Sequence, residues 1–239
     1  MILLCGALLL MAGSPRVHHE EKTKVPTHDT LLVPQSDSCR LIYEEMGLSA
    51  WVEEEAFRKA YDGYRRIKDR KKEILTLIDF TKPSNEERLL VLDMVEGKLL
   101  FHSLVAHGRN SGDLYATHFS NRPESHQSSL GLYLTEGTYI GKNGYSLRLN
   151  GLEKGINDNA LARAIVIHGA AYADPSVCRG GRRLGRSWGC PALPPALNRP
   201  IIDTIKGGSV LYIYGENSDQ RSCSYSITTT SELRSGAQS

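Results

Sequence analysis

The sequence is poor in the features that mark several large functional classes. Its 29 Lys and Arg are nearly balanced by 27 Asp and Glu, leaving a formal charge of +2. That is no basic excess of the kind that holds a nucleic-acid backbone or an anionic membrane surface. It contains no apolar run long enough to make a stable membrane span. Neither a glycine-rich phosphate loop nor a dinucleotide fingerprint occurs, and the five cysteines form no C-x-x-C pair. His102, His107, His118 and His126 are scattered without compact zinc-ligand spacing such as H-E-x-x-H. Nucleic-acid partners, a stable membrane span, and a resident metal or cofactor are therefore not expected.

What is present suits one catalytic domain with accessory segments. The chain has 239 residues, of which 40% are hydrophobic, enough for one substantial core. Residues 2–12 are an apolar run followed by Gly13, Ser14 and Pro15, with no Lys or Arg before it. Residues 1–14 are expected to be a signal peptide, which places the mature protein in the periplasm or another extracytoplasmic space. Removal of Cys5 with that segment leaves Cys39, Cys178, Cys190 and Cys223. An oxidising compartment permits a disulfide among Cys39, Cys178 and Cys223.

Residues 15–36 are polar and read as a tether. From 37 to 70 an α-helical element is expected, because Val52, Ala56, Phe57, Ala60, Tyr61, Tyr64 and Ile67 fall on one face. Glu53, Glu54 and Glu55 belong in its first turn. Residues 71–217 then carry short apolar runs: Ile74 to Phe80, Leu89 to Met94, Leu99 to Val105, Leu130 to Leu134, Tyr145 to Leu149, Ala164 to Ile167 and Val210 to Tyr214. Glu96-Gly97 marks a hairpin turn between two of them. Seven short strands predict a mainly β catalytic domain, a sandwich or partly closed barrel, followed by a polar tail over 218–239.

Two segments carry chemistry. Ala164 to Ile167 is an apolar strand ending in His168-Gly169, a position that holds an imidazole rigidly while glycine lets a substrate approach. A lone histidine after an apolar run is ordinarily a core residue. The second segment, Gly185-Arg186-Ser187-Trp188-Gly189-Cys190-Pro191, alters that balance. Cys190 follows a glycine in a tight turn whose backbone N–H groups at Gly189 and Cys190 suit an oxyanion. A free thiol is mostly protonated at neutral pH and needs a base, and His168 supplies one. Cys190 by itself reads equally as a disulfide half or an inert thiol; the motif decides. Arg179, Arg182, Arg183 and Arg186 precede it in a glycine-rich loop, where Arg186 above all, and Arg183, are candidates to clamp a carboxylate.

The His168-Gly169 and Ser187-Trp188-Gly189-Cys190 elements resemble the signature of the L,D-transpeptidase (YkuD-type) family. Over residues 85–215 the stretches Ser128 to Gly131, Ser146 to Leu152, Gly155 to Asn159 and Ile201 to Gly208 are similar to its murein L,D-transpeptidase catalytic domain branch. The resemblance departs at Trp188, where the signature has a second histidine, and at Ala192, where Arg or Asn is common. It implies a β-rich domain, a cysteine acyl-enzyme, and peptidoglycan stem peptides cut between the third residue and a fourth, D-alanine. Carbapenem-type inhibitors are implied as ligands. Trp188 is expected either to wall the cleft or to be a buried structural residue, and Ser187 to bond within the turn. A water-resolved thioester would make the chain an L,D-carboxypeptidase or cysteine amidase instead, and a fold without reactivity would make it a wall-binding module.

Overall fold

In a computed structural model of the chain, residues 35–216 are described. The expected signal peptide, all but the end of the polar arm, the C-terminal tail and Cys223 lie outside them. Helix α1 (Gln35–Glu45) leads through a 3-10 turn at Leu48–Ala50 to helix α2 (Glu54–Arg66). The single helical stretch expected from periodicity is therefore broken, and the break falls at Gly47, whose φ of 62° is left-handed. Such a φ costs glycine little and ends a helix. Helix α2 restarts with Glu54 and Glu55 in its first turn and closes with Arg65 and Arg66 in its last, each complementing the helix dipole.

Eight strands follow: β1 (Ile74–Asp79), β2 (Leu89–Asp93), β3 (Lys98–Ser103), β4 (Gly131–Gly141), β5 (Gly144–Gly151), β6 (Val166–Gly169), β7 (Ala192–Leu193) and β8 (Val210–Tyr214), with helix α3 (Pro195–Ile205) between the last two. They form one sheet in the order β3-β2-β1-β8-β4-β5-β6-β7. The Glu96-Gly97 turn joins β2 to β3, with Asp93 Oδ1 accepting from the N–H groups of Val95 and Glu96 and Gly97 at φ 61°. The two ends of the sheet meet. Ala106 N–H donates to Ala192 O at 2.8 Å and Ala192 N–H to Ala106 O at 3.2 Å, so the sheet is a nearly closed barrel.

The uninterrupted apolar runs of β1, β2 and β8 follow from burial on both faces. Ile78, Leu89, Val91, Leu211 and Ile213 point into the barrel, where Tyr133, Leu147 and Ile167 meet them. Leu75, Leu77, Leu90, Leu92 and Val210 point outward against Leu48, Phe57, Ala60 and Tyr64 of the helical segment. The N-terminal helices thus share a core with the sheet. Each such aliphatic side chain contributes ~1.5–3 kcal/mol when fully buried. Close contact fixes Gly63, where a β-carbon would lie 2.5 Å from Leu132 Cδ2.

Helix α3 and the two-residue strand β7 have no counterpart in the expected elements. Pro194, Pro195 and Pro200 mask the helix as a loop, yet Pro195 sits in its first turn, where a missing N–H costs nothing. Ile201, Ile202 and Ile205 of α3 join the barrel core. Among the described residues no helix is long and apolar enough to cross a membrane.

Candidate active site

Strand pairing brings the two chemical segments together. β6 runs parallel to β7 with His168 opposite Ala192, which leaves Cys190, two residues earlier, beside Val166 and Ala164. Val166 N–H points at Cys190 Sγ at 3.5 Å, and the thiol in turn points at Ala164 O at 3.7 Å. Ala164 holds φ at 55°, a left-handed conformation that a β-carbon resists and that surrounding structure must enforce.

His168 and Cys190 line one cavity of about 360 Å³, with no hydrogen bond between them. His168 is 4% exposed, and its Nδ1 lies 3.0 Å from Gly169 O. A carbonyl only accepts, so Nδ1 carries the proton and Nε2 keeps its lone pair. Burial lowers the imidazole pKa, and the Gly169 carbonyl offsets this in part. Burial likewise raises the Cys190 thiol, opposed by Val166 N–H and by the charges of Arg163 and Lys142. The resting pair is a neutral thiol and a neutral imidazole. Gly169 packs tightly: a β-carbon there would lie 3.1 Å from the Asn198 side chain.

The turn bearing Cys190 is stitched internally. Ser187 Oγ donates to Cys190 O at 2.6 Å and accepts from Gly189 N–H at 3.0 Å. This corrects one expectation: Gly189 N–H is occupied by Ser187 and does not face the cavity as an oxyanion donor. Cys190 N–H has no acceptor among the described residues. Gly189 itself has φ 120°, and a β-carbon there would meet Gln127 O at 2.8 Å.

A second layer fixes this turn to the barrel. Ser187 N–H donates to His107 O, and Arg109 N–H donates to Ser187 O. Ser128 Oγ donates to Gly189 O at 3.0 Å while accepting from Gly108 N–H. Below lies Arg88, 1% exposed, which donates twice to Val105 O, once to Lys82 O, and to His107 Nδ1. Desolvation holds the His107 imidazole down near 3, so it stays neutral.

The arginine expectations divide. Arg186 lines the cavity, although its Nη1 donates to Gly112 O at 2.8 Å and to Arg109 O, and lies 3.4 Å from Asp113. Arg183 does not line it. Its guanidinium is 2.5 Å from Asp113 Oδ1 and donates to Leu184 O, so the expected substrate clamp at Arg183 is a structural ion pair. Trp188 is 65% exposed and forms a wall of the cavity, stacked on His126 at 4.8 Å; the alternative of a buried structural Trp does not hold. Five cavity residues had no local sequence signature: Tyr139, Lys142 and Asn143 from the β4–β5 hairpin, Arg163 before β6, and Tyr172 after it. Cys39 and Cys178 are free thiols, and burial pushes Cys39 up to about 11; a disulfide between these two is absent.

A family model described as the L,D-transpeptidase catalytic domain matches residues 48–214, beginning well before the residues 85–215 over which the sequence itself resembles the family. No curated protein matches the chain. Among solved structures, an L,D-transpeptidase from Mycobacterium smegmatis is 12% identical, with 60% of this chain and 59% of that one covered and a TM-score of 0.38. The L,D-transpeptidase LdtMt1 in complex with imipenem is 12% identical, with 59% of each chain covered and a TM-score of 0.37. An L,D-transpeptidase from Stackebrandtia nassauensis is 14% identical, with coverages of 76% and 78% and a TM-score of 0.37. The chain spans 59% of the length of the first two.

Proposed function

The chain belongs to the L,D-transpeptidase catalytic-domain family, and from that premise we propose that Cys190 forms an acyl-enzyme with a peptidoglycan stem tetrapeptide and passes the acyl group to an amine. The observation that carries this reading is the shared cavity of Cys190 and His168, with Gly169 O fixing the proton on Nδ1.

In this mechanism His168 Nε2 takes the Sγ proton as sulfur attacks the donor carbonyl carbon, forming the C–S bond. The Cys190 N–H is the donor offered to the oxyanion, in place of the Gly189 N–H bound by Ser187. Collapse breaks the C–N bond, and the imidazolium returns its proton to the departing D-alanine amine. An acceptor amine then attacks the thioester carbonyl and loses a proton to His168. The new C–N bond forms, the C–S bond breaks, and the thiol is restored.

A neutral starting pair suits this sequence of steps, because proton transfer and attack are coupled and no buried thiolate must exist beforehand. Carbapenems, the class to which the imipenem bound by LdtMt1 belongs, are proposed as alternative acyl donors to Cys190. Export fits the substrate: the apolar run at 2–12 supports an extracytoplasmic location, where peptidoglycan is found.

Intact mass spectrometry after incubation with a synthetic stem tetrapeptide is the test. The expected result is an adduct on Cys190, release of D-alanine, and a peptide product when an amine is added. An adduct resolved only by water would reassign the chain as an L,D-carboxypeptidase; no adduct at all would overturn the reading.

A further inference from the structure

We infer that Lys142, at the tip of the β4–β5 hairpin, recognises the free carboxylate adjoining the scissile bond of the acyl donor. The inference rests on the acyl-enzyme reading above and names the residue that selects the donor's terminus.

The cavity around Cys190 is cationic. Lys142, Arg163 and Arg186 line it, and none of its lining residues is Asp or Glu. Charge of one sign in a concave site is complementary to an anion. The two guanidinium groups, however, are engaged by the protein. Arg163 donates to Ser120 O at 2.7 Å and to Gln127 O at 2.6 Å, and so braces the loop behind the thiol. Arg186 is drawn to Gly112 O and Asp113.

Lys142 differs. It has no hydrogen bond or ion pair among the described residues, and its Nζ lies 5.7 Å from the centroid of the Trp188 ring. An ammonium above an aromatic face is attracted to it while keeping its N–H donors available. Its backbone is held by the sheet: Gly141 pairs with Gly144 across a two-residue turn, with Gly144 at φ 73°. Lys142 and Cys190 line the same cavity, so an anion bound at this ammonium shares the space onto which the thiol opens. A peptide carboxylate one residue from the attacked carbonyl meets that requirement, with Trp188 covering its apolar side.

The test is a two-by-two comparison on the full chain. A stem tetrapeptide with a free C-terminal carboxylate and the same peptide as its C-terminal carboxamide are offered to wild type and to Lys142→Gln, and Cys190 acylation is timed by intact mass. Loss of a charge-assisted hydrogen bond predicts a fall on the order of tenfold or more in acylation kcat/KM for the carboxylate donor with Lys142→Gln. Amidation should cause a similar fall in wild type, and the two losses together should not add. Lys142→Arg should retain most of the rate. Equal losses on both donors, or none on either, would overturn the assignment while leaving the acyl-enzyme intact. Absence of any Cys190 adduct in wild type would overturn both.

Discussion

His168 is tethered to the residue that follows it, Nδ1 to Gly169 O at 3.0 Å. This bond selects the tautomer with a free Nε2 and keeps the ring from turning its protonated nitrogen toward Cys190. Burial lowers the imidazole pKa and raises the thiol pKa, so in the proposed mechanism the reactive combination is neutral imidazole with thiol. As pH falls the imidazole protonates and the base is lost. Acylation kcat/KM should therefore decline only below about pH 6.5 and stay level from there to about pH 9. Stopped-flow acylation across that range checks it; a maximum confined to alkaline pH would instead indicate reaction through a preformed thiolate.

Cys190→Ala should remove the adduct and turnover while leaving the fold close to wild type. The side chain packs at the edge of the barrel core, where alanine keeps the β-carbon, and the polar contacts of its sulfur are two weak ones to backbone. A shift in melting temperature of more than a few degrees, about 1 kcal/mol for a domain of this size, would show that the thiol has a structural role too.

Ser187→Ala removes the oxygen that joins Gly189 N–H to Cys190 O. The expected cost is about 1–3 kcal/mol of stability, since a buried donor loses its partner. Acylation should slow more than donor binding weakens, because the nucleophile turn loses its brace. Urea denaturation and the separation of kcat from KM measure the two effects.

Arg88→Met should be among the most damaging substitutions away from the cavity. Val105 O and Lys82 O lose their donors, and Asp79, which is 2% exposed and whose carboxyl burial already pushes upward, loses a nearby positive charge. Breaking such a buried charged network costs roughly 3–5 kcal/mol. Arg88→Lys keeps the charge but not the fork, and its urea midpoint should fall between the two.

The strands of the barrel were legible because two buried faces write long apolar runs into β1, β2 and β8, and the helix face of α2 repeats at Ala56, Phe57, Ala60 and Tyr64. Cys190 and His168, which line one cavity, stood out in the sequence because each sits in a short glycine-bearing motif. Helix α3 was hidden by its prolines. The occupation of Gly189 N–H and the pairing of Arg183 with Asp113 were hidden for a different reason. Both depend on which polar groups meet after folding, and nothing in the composition of the glycine-rich loop distinguishes Arg183 from Arg186. Lys142 lies on a hairpin whose only notable feature in the sequence is a pair of glycines; the sheet order brings that hairpin to the cavity that Cys190 lines.

The hydrogen bonds between Ala106 and Ala192 close the barrel, and the residues carrying Cys190 and Ser187 lie on the same seam. Their partners come from a distant part of the chain, so this pairing bears a large loop-closure entropy. On the proposed mechanism, activity would therefore report completed folding: parting of the seam would disassemble the turn that carries Cys190. Under mild denaturant, inactivation should run ahead of the loss of sheet and helix signal.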